Sequence, residues 1–223
     1  MNLKENYQRI RSEIPSHVTL VVAVKQRSPN QVTEMIGAGA TDIGENYVQE
    51  AQRMIDALGE KAKKVKWHMI GELQTNKINK ALPVFDMIQT VDSVEKAEAM
   101  DKRVAAAGKK KISCLIEVNI AGETCKSGAK GDYDAVEQIA RRISTLDHLR
   151  LEGLMTMGPL SEDPEESRPY FKAAKTIFDQ LKSLSLPNGE MKTLSMGMSA
   201  SYKAAIEEGA NMVRLGTALF GPR

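Results

Sequence analysis

Short runs of β-branched and apolar residues alternate with longer amphipathic segments along the chain. The apolar runs predict eight β-strands: Thr19–Val24, Thr41–Ile43, Val65–Ile70, Met87–Thr90, Ile112–Ile120, Leu149–Leu154, Thr193–Ser195 and Asn211–Leu215. Between these runs the apolar positions recur with helical spacing, which predicts a helix between each strand and the next. One more amphipathic helix, MNLKENYQRIRSEI, precedes the first strand.

Residues that favour helix ends bound several of the amphipathic segments. Pro29 suits the first turn of one helix, and Gly59 and Gly209 suit the C-terminal caps of two others. The predicted helices after the first are Asn30–Ala38, Asn46–Leu58, Ser93–Ala107, Asp132–Ser144, Pro164–Leu184 and Ala200–Glu208.

Alternating strands and helices imply a parallel sheet. Eight such units in 223 residues favour an α/β fold in which residues 1–223 form one (β/α)8 TIM barrel with an extra N-terminal helix. The alternative is a doubly wound open sheet. That fold usually carries a glycine-rich fingerprint after its first strand, where this chain reads AVKQRSP. In a barrel, the functional residues are expected where the strands end.

Composition excludes several classes of function. A net charge of +2, from 31 basic and 29 acidic residues, gives little field to attract nucleic acid. The two cysteines, Cys114 and Cys125, form no CxxC pair, so we expect no structural zinc and a reducing compartment. No apolar run approaches the roughly 20 residues that span a bilayer. We therefore expect a soluble cytoplasmic protein that binds neither membrane nor nucleic acid.

Polar residues close the first three strands. Lys25 ends an otherwise apolar strand, where it either reaches solvent from the rim or serves as a nucleophilic amine that attacks an aldehyde. Asn46, in IGENYVQE, either caps the next helix or points its amide into the barrel mouth. We interpret His68, in WHMIGELQTNK, as a core histidine rather than a metal ligand.

The last two strands lead into turns suited to an anion. Ser199 lies in a glycine-containing turn before a helix, where backbone N–H groups are unpaired. Gly216 and Thr217 follow the eighth strand and offer a close backbone N–H and a hydroxyl. Barrels commonly hold phosphate in the loops after strands seven and eight. These two loops predict a phosphate site, with ordinary turns as the alternative.

Arg214 lies inside the last strand between apolar neighbours. A buried guanidinium needs a partner. The partner is either a barrel carboxylate such as Glu117 or an acceptor on a ligand. A lysine amine, a phosphate site and an inward arginine together describe a cofactor with an aldehyde, a phosphate and a ring nitrogen.

These residues lie in stretches that resemble the pyridoxal phosphate homeostasis proteins, which are similar in fold to the N-terminal barrel of alanine racemase. The resemblance spans almost the whole chain in VVAVK, IGENYVQE, WHMIGELQTNK, EVNIAGETCKSG, GLMTMGP and LSMGMSASYKAAIEEGANMVRLGTALFG. It implies that pyridoxal 5'-phosphate forms an internal aldimine on Lys25 beside Asn46. It also implies that Ser199, Gly216 and Thr217 hold the phosphate and that Arg214 faces the pyridine nitrogen.

Two departures separate the chain from the family pattern. The family usually reads AVSKTKP, and alignment on Pro29 places Gln26 at the lysine position. Lys25 is the only lysine in AVKQRSP, so a shift of one residue in the following loop aligns it with the family's lysine. The family also usually carries an acidic residue shortly after MGMS, where this chain continues Ala200, Ser201 and Tyr202.

The resemblance favours a carrier over an enzyme. A racemase needs acid–base groups on both faces of its substrate, and alanine racemase uses a second domain that we do not expect here. We expect a monomer that buffers pyridoxal phosphate or delivers it to apo-enzymes, with little turnover. The alternatives are a pyridoxal-phosphate-dependent racemase or lyase and a sugar-phosphate barrel without this cofactor. Lys126 is interpreted as a solvated loop lysine, with a second cofactor position as the alternative.

Overall fold

Eight parallel strands close into a barrel in the computed structural model, which describes residues 2–122, 127–159, 161 and 163–222. The order around the barrel is β1-β2-β3-β4-β5-β7-β8-β9, and β9 pairs again with β1. A two-residue strand, β6, pairs with the end of β5 outside the ring. The strands are β1 Thr19–Ala23, β2 Asp42–Glu45, β3 Lys66–Met69, β4 Met87–Val91, β5 Ile112–Asn119, β6 Ala129–Lys130, β7 Leu149–Thr156, β8 Gly189–Ser195 and β9 Met212–Leu215.

Helices surround the barrel, and their apolar faces pack on the outer face of the sheet. They are α1 Leu3–Glu13, α2 Pro29–Gly37, α3 Val48–Leu58, α4 Ile78–Ala81, α5 Val94–Ala106, α6 Tyr133–Ser144, α7 Pro164–Lys182, α8 Tyr202–Glu207 and α9 Thr217–Phe220. Two 3-10 turns, Gly59–Lys64 and Thr75–Lys77, complete the connections. No helix in the described ranges is long and apolar enough to cross a membrane.

The predicted barrel and its extra N-terminal helix are confirmed, with each predicted strand overlapping an observed one. The helix predicted between β3 and β4 is present but short. That connection holds only the turn Thr75–Lys77 and the four-residue α4, since Pro83 stops further helical growth. The predicted helix Asn46–Leu58 begins two residues later, at Val48.

The barrel interior is filled by methionines rather than aromatic rings. Met87, Met155 and Met212 pack there with Val21 and Leu115. Unbranched thioether side chains fit irregular space, which suits a chain whose aromatic content is 4%. Buried polar side chains lie on the same barrel strands, among them His68, Gln89, Ser195 and Arg214.

A bulge in β7 depends on Gly153. Cys114 pairs with Leu151 and Leu115 pairs with Gly153, so Glu152 is the additional residue in this strand. Gly153 has φ +148°, and a Cβ at this position would lie 1.8 Å from the carbonyl oxygen of Thr193 on β8. Only glycine lets β7 and β8 approach this closely.

We predict that Gly153→Ala lowers the free energy of unfolding by at least ~2 kcal/mol, because the added methyl forces two paired strands apart. Gly37→Ala is the matched control, since a Cβ there meets nothing within 4 Å. That control should change stability by less than ~1 kcal/mol. Urea unfolding followed by circular dichroism measures both. Equal stability of the two variants would contradict the role of Gly153.

Candidate cofactor site

A cavity of about 600 Å³ opens at the C-terminal ends of the barrel strands. Its wall combines apolar side chains, such as Ile70 and Met157, with polar groups from both ends of the chain. The six residues predicted from the sequence all line it: Lys25, Asn46, Ser199, Arg214, Gly216 and Thr217. The structure thus brings together residues that lie up to 192 positions apart, from 25 to 217.

The turn after β1 separates the side chains of Lys25 and Gln26. The Arg27 N–H donates to the Val24 carbonyl at 2.9 Å, which closes a tight turn. Gln26 occupies the left-handed region at φ +60°, and no other non-glycine residue of the described ranges has a positive φ. As a result Lys25 is half-buried in the cavity wall, while the exposed Gln26 borders a separate pocket on the outer side of the turn.

Asn46 follows β2 and is fixed in place by a close backbone contact. A Cβ on Gly71 would lie 2.4 Å from the Asn46 carbonyl oxygen, so the loops after β2 and β3 meet without a side chain between them. Tyr47, not Asn46, is the N-cap residue of α3, and its side chain makes no capping hydrogen bond. The Asn46 side chain therefore borders the cavity instead of capping the helix.

Ser199 joins the two loops that were predicted to hold an anion. Its Oγ accepts from the N–H of Gly216 at 3.3 Å and from the N–H of Ala218 at 3.1 Å. The N–H groups of Ser199 and Thr217 have no partner among the described residues. The two loops therefore present free backbone donors and the Thr217 hydroxyl at one end of the cavity.

Gly197 permits the tight entry into this site from β8. Its φ is +93°, and a Cβ would lie 2.5 Å from the Cβ of Ala205 on α8. The loop therefore packs directly on the helix that follows it. This contact brings Ser199 within hydrogen-bond distance of Gly216.

Arg214 is buried, with 5% of its surface exposed, and still lines the cavity. Its Nη1 donates to the Ser195 hydroxyl at 2.7 Å, and its Nη2 donates to the Thr156 carbonyl at 3.0 Å. Burial lowers the pKa of Arg214 to about 10, so the guanidinium stays charged at neutral pH.

The expected structural partner of Arg214 does not bind it, because no ion pair joins Arg214 to Glu117 or to another carboxylate of the described residues. Glu117 is buried, and its Oε1 accepts from the Ser127 hydroxyl at 2.9 Å. Its Oε2 has no partner among the described residues. Burial raises the pKa of Glu117, which disfavours the charged form that a salt bridge requires.

Two further expectations concern histidine and Lys126. His68 is buried and bonded to side chains, as predicted for a core histidine. No cluster of potential metal ligands occurs among the described residues. Lys126 lies outside the described residues, so its interpretation stays a prediction.

Chains similar to this one share both its length and its barrel. The family model of the alanine racemase N-terminal domain matches residues 1–223. A pyridoxal phosphate homeostasis protein of Pasteurella multocida is 34% identical over 233 residues, covering 100% of this chain and 98% of the relative. One of Pseudomonas aeruginosa is 38% identical, covering 94% and 86%. The chain belongs to the pyridoxal phosphate homeostasis protein family.

Solved structures agree with this family assignment. PipY of Synechococcus elongatus is 32% identical and superposes with a TM-score of 0.90 without pyridoxal phosphate and 0.88 with it bound. Each comparison covers 98% of this chain and 100% of PipY. An alanine racemase of Clostridium difficile superposes with a TM-score of 0.80 at 13% identity, covering 100% of this chain and 57% of the racemase. That likeness shows a shared barrel alone.

Sequence reasoning missed Glu45, a buried carboxylate at the end of β2 that borders the pocket beside Gln26. Only 1% of its surface is exposed, and its Oε2 accepts from the Asn46 N–H at 2.9 Å. Burial raises the pKa of Glu45 to about 7, with a smaller increase from Glu50. Its position in IGENYVQE, beside the predicted site residue Asn46, was the available signal.

We predict that Glu45 makes the protein less stable as the pH rises from about 4.5 to about 7. The folded state holds the proton more tightly than the unfolded state, so its stabilising effect is complete below the lower value and lost above the higher one. Glu45→Gln keeps an acceptor oxygen without a charge. Between pH 5 and 8 the variant should gain ~1–3 kcal/mol of unfolding free energy relative to the wild type.

Urea unfolding at several pH values measures this difference, with Glu60→Gln as the control at an exposed glutamate. A difference between the Glu45 variant and the wild type that is independent of pH would contradict the raised pKa.

Proposed function

We propose that this protein binds pyridoxal 5'-phosphate covalently at Lys25 and takes part in the homeostasis of that cofactor. The observation that carries the proposal is the convergence of Lys25, Arg214 and the loops around Ser199 and Thr217 on one cavity. The relatives named as pyridoxal phosphate homeostasis proteins and the PipY structure with bound cofactor support it.

The donors around the cavity fit the chemical groups of this cofactor. When bound, pyridoxal phosphate supplies an aldehyde that a primary amine captures reversibly with loss of water. Lys25 is the amine of the cavity wall. The free N–H groups of Ser199 and Thr217 would hold the phosphate, and Asn46 would border the ring.

Arg214 would face the nitrogen of the pyridine ring. A guanidinium only donates hydrogen bonds and keeps its proton, so it would bind the unprotonated nitrogen. An unprotonated ring withdraws electrons weakly, which disfavours carbanion chemistry. This choice of partner suits a protein that holds the cofactor without using it.

We infer that the protein is a carrier with little catalytic turnover. Among the described residues that line the cavity there is no tyrosine, histidine, cysteine, aspartate or glutamate. Proton transfer on both faces of a substrate would therefore lack a second acid–base group beside Lys25. Tyr202 does not reach the cavity, since its hydroxyl donates to Glu13 of α1 at 2.9 Å.

We expect purified protein incubated with pyridoxal phosphate to develop a near-visible absorbance band. Borohydride reduction followed by peptide mass mapping should place the pyridoxyl group on Lys25. Lys25→Gln should abolish the band, since no other lysine of the described ranges lines the cavity. Absence of the band from the wild type would overturn the proposal and leave a phosphate-binding barrel.

Exchanging two neighbouring residues tests the register of the lysine. The double variant Lys25→Gln with Gln26→Lys moves the amine by one position, to the outer side of the left-handed turn. We expect this variant not to recover the band. Full recovery would show that the turn does not decide which side chain enters the cavity.

We also expect no sustained exchange of the α-hydrogen of added amino acids in deuterium oxide. Amino acids should displace the cofactor from Lys25 at most once per site. Proton NMR of alanine and serine follows the exchange, with an alanine racemase as the positive control. Turnover at enzymatic rates would favour the racemase or lyase alternative.

A further inference from the structure

A continuous chain of hydrogen-bonded side chains crosses the barrel interior from the cavity toward the N-terminal ends of the strands. It begins with the bond from Arg214 Nη1 to Ser195 Oγ at 2.7 Å. Ser195 Oγ bonds Gln89 Oε1 at 2.7 Å, and Gln89 Nε2 lies 3.1 Å from His68 Nδ1. His68 Nε2 lies 2.9 Å from Asp42 Oδ1. Three members, Ser195, Gln89 and His68, are at most 1% exposed.

The two ends of this hydrogen-bonded chain, Arg214 and Asp42, determine where each hydrogen atom lies. Arg214 can only donate, so Ser195 Oγ accepts from it and must direct its own hydrogen to Gln89 Oε1. The Gln89 amide nitrogen then donates to His68 Nδ1.

Asp42 fixes the other end, because the ionised carboxylate can only accept. Burial by itself would raise the pKa of Asp42, but hydrogen bonds from His68 and Thr41 lower it. His68 therefore carries its hydrogen on Nε2 and a lone pair on Nδ1, and every bond donates in the same direction.

We propose that Gln89 and His68 are positioning residues that fix the orientation of Arg214 toward the ring nitrogen of the cofactor. This inference rests on the proposed function, which places that nitrogen at Arg214. The chain makes Ser195 Oγ a committed acceptor, which with the Thr156 carbonyl fixes two N–H groups of the guanidinium. The remaining N–H groups are then left for the cavity that Arg214 lines.

Hydrogen bonds must set the orientation of the Arg214 guanidinium, because no salt bridge with a described carboxylate does so. Arg214 forms no ion pair with the described carboxylates, and Glu117 acts on it only from a distance. A guanidinium without a salt bridge would otherwise rotate about its side-chain bonds. Removing Gln89 would free the Ser195 hydroxyl to rotate, so Ser195 would no longer be a fixed acceptor for Arg214.

Replacing the ring nitrogen of the ligand tests this role directly. The probes are pyridoxal phosphate and its 1-deaza analogue, in which a CH group replaces that nitrogen. Gln89→Met keeps the side-chain volume but forms no comparable hydrogen bond. We expect the wild type to prefer pyridoxal phosphate, and the variant to lose about 5-fold or more of that preference.

Thr90→Val is the matched control. It removes a part-buried hydrogen bond of the next residue of β4, from Thr90 Oγ1 to the Gly71 carbonyl, and that bond is no part of the chain from Arg214 to Asp42. Its preference for the nitrogen-containing ligand should equal that of the wild type. Fluorescence titration gives the dissociation constants, and the absorbance band of the bound cofactor should shift only in the Gln89 variant.

The outcomes separate this inference from the proposed function. Equal loss of affinity for both ligands in Gln89→Met would show a merely structural role and overturn the inference alone. Failure of the wild type to bind either ligand would overturn the proposed function and the inference with it.

If Gln89→Met does not fold, nitrogen NMR of the wild type tests the direction of the chain. The sequence contains three histidines, so His17→Gln and His148→Gln identify the His68 signals by elimination. We expect hydrogen on Nε2 and none on Nδ1. A hydrogen on His68 Nδ1 would overturn the inference, because Gln89 could not then donate to it.

Discussion

A charged guanidinium in the interior of a barrel is the constraint on which the rest of this structure depends. Burying Arg214 is costly unless its N–H groups are bonded. The protein meets this requirement with Ser195 and the Thr156 carbonyl rather than with a carboxylate. Ser195 in turn needs an acceptor for its own hydrogen, which Gln89 provides. A row of polar side chains that ends at Asp42 therefore replaces part of the apolar core. The interior is therefore polar along one line and apolar around it.

The two ends of the cavity offer different chemical groups, and Arg214 lies between them. At one end, the loops after β8 and β9 offer backbone N–H groups that are rigid because Ser199 ties the loops together. At the other, Lys25 enters from a strained turn. Arg214 lies between them on β9. Each group is fixed by backbone geometry or by buried hydrogen bonds, so the cavity is largely formed before a ligand arrives.

Sequence patterns were sufficient for the barrel because each strand run is short, apolar and bounded by helical periodicity. They were sufficient for the six lining residues because five of them follow strand ends and the sixth, Arg214, is a charged residue inside an apolar strand. They were insufficient where long-range packing decides. The role of Gly153 depends on the Thr193 carbonyl of a neighbouring strand, and Glu45 is perturbed by burial that no local pattern reveals. The link from Gln89 to His68 joins adjacent strands and required their register to be known.

The closure of the barrel by β9 also bears on how the protein is made. β9 pairs with β1, and Asn6 of α1 donates to the carbonyls of Ala218 and Leu219, so the first and last described elements hold each other. Synthesis proceeds from the N-terminus, and β9 and α9 therefore leave the ribosome after every other described element. Until they do, β1 and β8 have open edges, and the cavity lacks Arg214, Gly216 and Thr217. The cavity that combines Lys25 with Arg214 and Thr217 is thus a property of the finished fold.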